Sequence, residues 1–462
     1  MAAASDAWMN DDDPVDEQVQ ARAIDPLVKP LRAFFRHRLT GAGLLLAAAL
    51  IALAWAASPW SAAYQHILHT PVGVRLGDLA LEKSVHHWIN DGVMSFFFFV
   101  IGLELKREVL EGELSTWRKA ALPALCAFGG MVVPAGLYAL VNAGTPTLPG
   151  WGVPMATDIA FVLGTLALLG DRVPTSLKVF VTAVAVADDL GAIVVIALFY
   201  TDDVSLIALA LAAALLLVAV AINVLGVRNH LAFLAVGIAV WLCFVESGVH
   251  ATLAAVLVAF VIPASTRIDS QAMARSLEDR VQRYASLRLP DGHGLLTPDE
   301  ERALYDIEDV VEHGTAPLQR LEHALLPLVT FVVLPLFALA NAGVVVEGAL
   351  GALVASRVFV GVVLGLVVGK PLGILLAAVI AVRLRVADLP AGVRLRELGA
   401  VGLLAGIGFT MSLFIGELAF RSPAVVNAAK LGTLAASLIA GVTGLLVLHL
   451  FLRPTAVDSE AS

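Results

Sequence analysis

Charge is what this chain is shortest of. Only 15% of its 462 residues are Asp, Glu, Lys or Arg, where a soluble domain carries about 25%. So few charges cannot cover a water-facing surface, and the mean hydropathy of +0.86 agrees. Length alone would suggest two or three soluble domains, and the poverty of charge excludes them. Cysteine is nearly absent: Cys126 and Cys243 both fall in apolar runs. That excludes a disulfide framework or a Cys-based metal cluster and leaves the two as small core residues. Aromatics make up 7% of the chain, and there is no basic stripe or aromatic platform, so nucleic acid is not an expected partner. The net charge of -9 lies mostly in tails and loops, and the acidic N-terminus ("NDDDPVDE") reads as lacking a cleavable signal.

What the chain has instead is long apolar runs, and a hydrophobic stretch of roughly 18 or more residues reads as a membrane-spanning helix. About twelve occur, near 41–58, 88–105, 120–142, 152–170, 176–200, 204–225, 230–245, 249–263, 325–346, 357–382, 397–420 and 428–452. The expected fold is an all-α membrane protein of about twelve spans. Basic residues crowd alternate loops: Arg36 and Arg38, then Lys106, Arg107, Arg118 and Lys119, then Arg172 and Lys178, Arg228, Arg383 to Arg396, and Arg453. The loops at 143–151, 201–203 and 246–248 have no Lys or Arg. By the positive-inside rule both termini are cytoplasmic. The chain then divides into a cytoplasmic tail (1–40), spans 1–8 (41–263), a cytoplasmic insert (264–322), spans 9–12 (323–452) and a second cytoplasmic tail (453–462).

Two pieces lie outside the membrane. "TPVGVRLGDLALEK" (70–83) alternates Val74, Arg75 and Leu76, then has Gly77-Asp78, then Leu79 and Leu81. This reads as an external two-residue β-hairpin. It serves either as a pairing edge for a homodimer or as a loop packed on its own membrane domain. In the insert, "TPDEERALYDIEDVVEH" opens with Thr297, Pro298 and Glu300, a capping box with proline at the first helical position. A short surface helix follows, either a solvated spacer or a regulatory piece. Gly361, Gly365 and Gly369 recur every four residues, the spacing that lets helix backbones approach closely in lipid.

Ionisable residues at membrane depth cost roughly 2.5–3.5 kcal/mol each on insertion scales, so the few present mark function by default. They are Asp158 in "MATDIAF", the pair Asp188 and Asp189 in "AVAVADDLGAIVVIALFY", and Lys370 in "VVGKPLGI". Glu104, Lys106, Arg107 and Glu108 sit near a span end, where side chains snorkel. Glu104 and Arg107 also stand at local ion-pair spacing. Two runs are interrupted: "GWGVPMATDIAF" carries Pro154 and Thr157-Asp158, and "GLLAGIGFTMSLF" carries Gly402, Gly406 and Gly408. Broken helices at membrane depth require burial in protein or a water-lined cavity. Their matching positions in two halves point to a midplane site between inverted repeats. Half-helix ends carry partial charge, which Asp158 and Lys370 are placed to neutralise. Asp188 and Asp189 remain to bind a cation. A buried carboxylate is readily neutralised, by a proton or by a small hard cation that prefers oxygen ligands. Two carboxylates at one site cannot both be charged and empty at low cost. Proton and metal ion then exclude each other, and a site of that kind open alternately to each side is an exchanger.

"FFFFVIGLELKREVLEGEL", "VPMATDIAF", "VADDLGAI", "SGVHATLA", "VGKPLGI" and "GIGFTMSLFI" together resemble the NhaA family of bacterial sodium/proton antiporters, in order and over nearly all of residues 40–452. The resemblance implies twelve spans with two crossed discontinuous helices (spans 4 and 11) in a bacterial inner membrane. It implies electrogenic exchange of Na+ or Li+ for H+, serving pH and sodium homeostasis, with no cofactor. It assigns cation and proton binding to Asp188 and Asp189, the pair that would hold the transported metal ion, with Thr157 and Asp158 beside them. Lys370 pairs with one aspartate. A pH-response cluster maps onto Glu104, Arg107, Glu322 and His323, and His250 matches a further position linked to pH response. The chain departs from the pattern at Leu326, where many members have a second histidine, and in the longer 264–322 insert. Three rival readings stand beside this one: an intramembrane aspartyl protease using Asp158 and Asp188, a retinal protein with Lys370 as Schiff base, and a solute symporter.

Overall fold

The structure is a computed structural model and describes residues 38–76, 79–201, 204–287, 296–345 and 350–452. Among these residues, eight helices are long and apolar enough to cross a membrane: Val85–Leu110, Trp117–Val141, Leu148–Ala167, Thr175–Phe199, Leu206–Val224, Pro317–Asn341, Arg357–Arg383 and Pro423–Phe451. Two bent pairs, Thr40–Ala56 with Ser61–His69 and Leu395–Ala405 with Phe409–Ala419, bring the number to ten if each is one span. The apolar runs at 230–245 and 249–263 form the shorter helices Leu231–Val245 and Thr252–Val261. The protein is a multi-pass, mostly helical membrane protein. The expected number of twelve counted those two short helices as full spans.

Proline and glycine decide where helices change course. Wide π-type turns occupy Val329–Val333 and Gly365–Gly369. Pro335 and Pro371 follow, and a proline ring clashes with the carbonyl four residues earlier, at Phe331 and Val367 respectively. A wider turn gives that carbonyl room. Helices Trp117–Val141 and Lys370–Arg383 approach closely because Gly129 and Gly373 face each other. A Cβ built at Gly129 would lie 2.7 Å from that of Ala377, and one at Gly369 would lie 2.7 Å from the Pro134 backbone. The glycine spacing seen in the sequence is thus packing chemistry, and it fixes the helix that presents Lys370.

Outside the bundle, Pro71–Leu76 pairs antiparallel with Leu79–Ser84, from Pro71 opposite Ser84 to Leu76 opposite Leu79. The Gly77-Asp78 turn lies outside the described residues. The Trp88 indole donates to Val72 O (2.8 Å), tying the hairpin to the start of the following span.

The insert contributes two surface helices, Ser270–Ser286 and Pro298–Gly314, packed on each other. The second begins with the capping box: Glu300 N donates to Thr297 Oγ1 (3.4 Å), and Thr297 N donates back to Glu300 Oε2 (2.6 Å). The Thr297 amide, then its hydroxyl, hold the Glu300 carboxyl below the usual glutamate range. A folded-state value below the unfolded one stabilises the helix above the unfolded pKa, about 4.3. That contribution is lost as pH falls through the folded value. Amide exchange of residues 299–303 should therefore speed up as pH falls below about 4 relative to the intrinsic rate. Thr297→Ala should remove most of this pH dependence and cost the helix about 1 kcal/mol.

Candidate functional site

The helix Thr175–Phe199 carries two adjacent aspartates near its middle. Its other residues around them are apolar or glycine, so only tertiary partners can satisfy them. Asp188 is 1% exposed, Asp189 2% and Lys370 1%. The Lys370 ammonium donates to Asp188 Oδ2 at 2.5 Å and also to the carbonyl of Met155. Met155 closes the 3-10 segment Leu148–Met155. Lys370 therefore meets a carboxylate and the negative end of a short helix together. The Oδ1 atoms of Asp188 and Asp189 have no hydrogen-bond partner of normal geometry among the described residues. Glu104, on the neighbouring span, is near enough to Asp189 to act on it electrostatically.

Both interruptions reach this place. The chain leaves the 3-10 segment at Pro154-Met155, runs extended through 156–158 and re-enters a helix at Ile159–Ala167. Proline lacks the amide that a continuing helix would use. Its counterpart breaks at 406–408, between Leu395–Ala405 and Phe409–Ala419, with a bend of 51°. The breaks are stitched together: Asp158 N donates to Ile407 O (2.7 Å), and Thr157 Oγ1 donates to Ala405 O (2.9 Å). Gly408 permits the approach, since a Cβ there would lie 3.1 Å from Ala156 O.

Asp158 sits where two helices begin. It caps Ile159–Ala167, accepting from Phe161 N (3.2 Å) on Oδ1. Its Oδ2 accepts from Thr410 N (3.0 Å) and Thr410 Oγ1 (2.6 Å), in the first turn of Phe409–Ala419. One carboxylate thus answers two half-helix N-termini. Three carboxylates face one ammonium in the cluster. With Asp158 spent on backbone dipoles and Asp188 on Lys370, Asp189 is the one of the three without a fixed counter-charge among the described residues.

The remaining expected residues divide into three places. Arg107 Nη1 meets Glu322 Oε1 at 2.6 Å, with Glu104 at 4.0 Å and Glu108 at 3.8 Å from the same guanidinium. Glu104, Arg107 and Glu322 therefore form one cluster across two spans. His323 is exposed, its Nδ1 bonded to Gln319 O (2.7 Å), and among the described residues it has no ion pair with that cluster. His250 is elsewhere: its Nε2 bonds the Tyr200 carbonyl (2.5 Å) at the end of the aspartate-bearing helix.

Three features escaped the sequence reading. Thr410 holds Asp158 by both amide and hydroxyl; a hydroxyl residue directly after a glycine-rich break was the available signal. Glu108 joins the Arg107 cluster. A second largely buried ion pair, Lys430 Nζ to Glu417 Oε1 at 2.6 Å, joins the half-helix Phe409–Ala419 to the final span. His86 lies 3.9 Å from the same carboxylate and 2.9 Å from Asn341 Oδ1. A lone Lys in "NAAKLGTL" and a lone Glu in "IGELAF" were the clues, each weak because each lies near a span end.

Buried carboxylates and one lysine, gathered where two interrupted helices touch inside a multi-pass bundle, resemble the layout of an inverted-repeat secondary transporter. The chain belongs to the Na+/H+ antiporter 1 family, whose profile matches residues 32–448. That family is itself one of the type cases of the layout. The chain is 47% identical over 430 residues to the Na(+)/H(+) antiporter NhaA of Oleidesulfovibrio alaskensis, covering 93% of this chain and 96% of the relative. It is 48% identical over 425 residues to the protein of the same name from Acidithiobacillus ferrooxidans (91% and 97%). The corresponding figures for Helicobacter pylori are 44% over 434 residues (94% and 96%).

Proposed function

We propose that the protein exchanges Na+ or Li+ for H+ across a bacterial inner membrane, at the aspartates of the helix Thr175–Phe199. The observation that carries this reading is the unequal pair: each has an oxygen without a partner, but Asp188 is ion-paired to Lys370, while Asp189, beside it and as deeply buried, has no ion pair among the described residues. A proton or a small hard cation would neutralise Asp189, and not both together. Thr157, against Asp188, is proposed as a further ligand, and Asp158 and Lys370 as compensators of the half-helix ends.

The finer reading follows from this. Twelve spans, the two short apolar helices included, would hold spans 4 and 11 crossed at the break. Rocking of the repeats would expose the site alternately to each side, and more protons would enter than cations leave. Both termini and the 264–322 insert would be cytoplasmic. Glu104, Arg107 and Glu322 would set the pH response, with His323 and His250 modulating it. The 70–83 hairpin would pair two copies edge to edge outside the membrane.

Two of the three rival readings, the protease and the retinal protein, lose support from the same geometry. Both oxygens of Asp158 accept from helix N-termini, so it is not poised to share a proton with Asp188 as a protease dyad would. Lys370 is spoken for by Asp188 and Met155, against a Schiff-base role. The protein is a transporter and not an enzyme. Everted vesicles carrying it should dissipate a preformed pH gradient when Na+ or Li+ is added and leave it intact with K+. Equal responses to all three cations, or none, would overturn the proposal.

A further inference from the structure

A cavity of about 420 Å³ lies where the insert meets the membrane domain. Arg228, Arg267 and Arg320 line it, with His313, Asn229 and Glu312. The arginines come from three separate stretches of chain, so their convergence is a product of the fold. Arg228 donates to the Ser265 carbonyl and, at 3.3 Å, to the Ser265 hydroxyl. Arg267 donates to Gly226 O (2.8 Å) and to His313 Nε2 (3.1 Å). These partners are two carbonyls, a hydroxyl and the His313 ring, whose other nitrogen lies 3.3 Å from the Asp309 carboxylate. Among the described residues, no carboxylate lies within 4.0 Å of either guanidinium. Only Arg320 has one, Glu312 at 2.8 Å.

Two guanidiniums are thus held side by side with no carboxylate bonded to either among the described residues. Burial, and then the charge of Arg267, lower the proton affinity of Arg228. Such an arrangement is strained by its own repulsion and relieved by an anion. Each guanidinium has five donors, and the bonds above use two apiece, which leaves three N–H donors on each for a ligand. Preorganised forks of this kind match phosphate oxygens. The wall has one apolar side chain, Pro317, which leaves no bed for acyl chains and favours a soluble ligand over a lipid.

We propose that the pocket between Arg228, Arg267 and Arg320 binds a soluble phosphate-bearing anion. Pro317 begins the helix that carries Glu322, and Leu318 N bonds Pro263 O (3.1 Å) in the loop leading to Arg267. An anion here would brace the insert against the start of that helix. Binding and transport are separate readouts, so this site stands or falls independently of the exchange reaction.

The test is titration calorimetry of the purified full-length protein with potassium pyrophosphate. Saturable binding is expected, weakening as salt rises. Arg228→Gln with Arg267→Gln should weaken it at least tenfold. Arg267→Lys, which keeps the charge and loses the fork, should weaken it less and guards against a folding failure of the double variant. Glu312→Gln should tighten binding several-fold, because it removes the one carboxylate that lines the pocket among the described residues; a purely structural role would give no such sign. Absence of saturable heat, or a Glu312→Gln affinity equal to the parent's, would overturn the proposal. So would pyrophosphate binding that fails in phosphatidylcholine and phosphatidylglycerol nanodiscs alike. If instead phosphatidylglycerol alone blocks pyrophosphate, a lipid headgroup is the occupant and the soluble assignment is wrong.

Discussion

Asp189→Asn is expected to abolish Na+-dependent dissipation of a pH gradient in everted vesicles, and Asp188→Asn to do the same for a different reason. At position 189 the amide is nearly the same size but cannot take up and release a proton, and as a neutral ligand it holds an alkali ion weakly. The cluster of three carboxylates and one lysine becomes more nearly balanced, so the protein should remain folded and elute unchanged on gel filtration. At position 188 the loss falls on the Lys370 ion pair. The lysine keeps its Met155 carbonyl but becomes a buried cation without its carboxylate, which is costly. Asp188→Asn should therefore lower thermal stability, and Asp189→Asn should not. Parent-like exchange in both variants would remove the site assignment, and an equal loss of stability in both would remove the distinction drawn between them.

The second large effect concerns Lys370. Removing one partner of a buried ion pair costs about 3–5 kcal/mol, because the other charge is left uncompensated. Here Lys370→Ala strands Asp188 and also leaves the end of the Leu148–Met155 segment without its donor. Lys370→Arg keeps a cation, at the cost of fitting a larger planar group. Thermal unfolding of the purified protein should rank parent above Lys370→Arg and Lys370→Ala lowest. Adding Asp188→Asn to Lys370→Ala should restore part of the loss, a coupling of about 1–3 kcal/mol. Equal melting temperatures for Lys370→Arg and Lys370→Ala, or strictly additive losses in the double variant, would show that the pair does not stabilise the fold as described.

Much of this was legible in the sequence because the bilayer makes charge so costly. Asp158, Asp188, Asp189 and Lys370 announced themselves by standing in apolar runs, and the structure gathers all four at one place. The breaks were legible from Pro154 and from the glycines at 406 and 408, since few residues other than proline and glycine interrupt a helix without a severe steric cause. The capping box of the insert was legible from Thr297 and Glu300 alone, because its chemistry is local.

What could not be read depended on which distant segments meet. Nothing in the order of residues shows that Asp158 serves two helix N-termini, since the second belongs to Phe409–Ala419, some 250 positions away. The assignment of Lys370 to Asp188 rather than Asp189 turns on helix rotation, which adjacent positions about 100° apart leave undecided. Glu417 and Lys430 looked like ordinary residues near span ends and became a pair only through packing. His323 shows the converse: adjacent in sequence to Glu322, it faces solvent while Glu322 turns inward to Arg107. The count of twelve spans rests on the apolar runs at 230–245 and 249–263, whose helices are shorter than the others.

Competition between cation and proton at Asp188 and Asp189 is tested most directly by titrating Na+ into the purified protein in two buffers of different ionisation enthalpy. Occupation of a protonated carboxylate by a metal ion must expel the proton. The apparent heat should then differ between the buffers by an amount that reports H+ released per Na+ bound, and Asp189→Asn should erase the difference. Sodium binding with the same heat in both buffers, at a pH where the site is protonated beforehand, would contradict it.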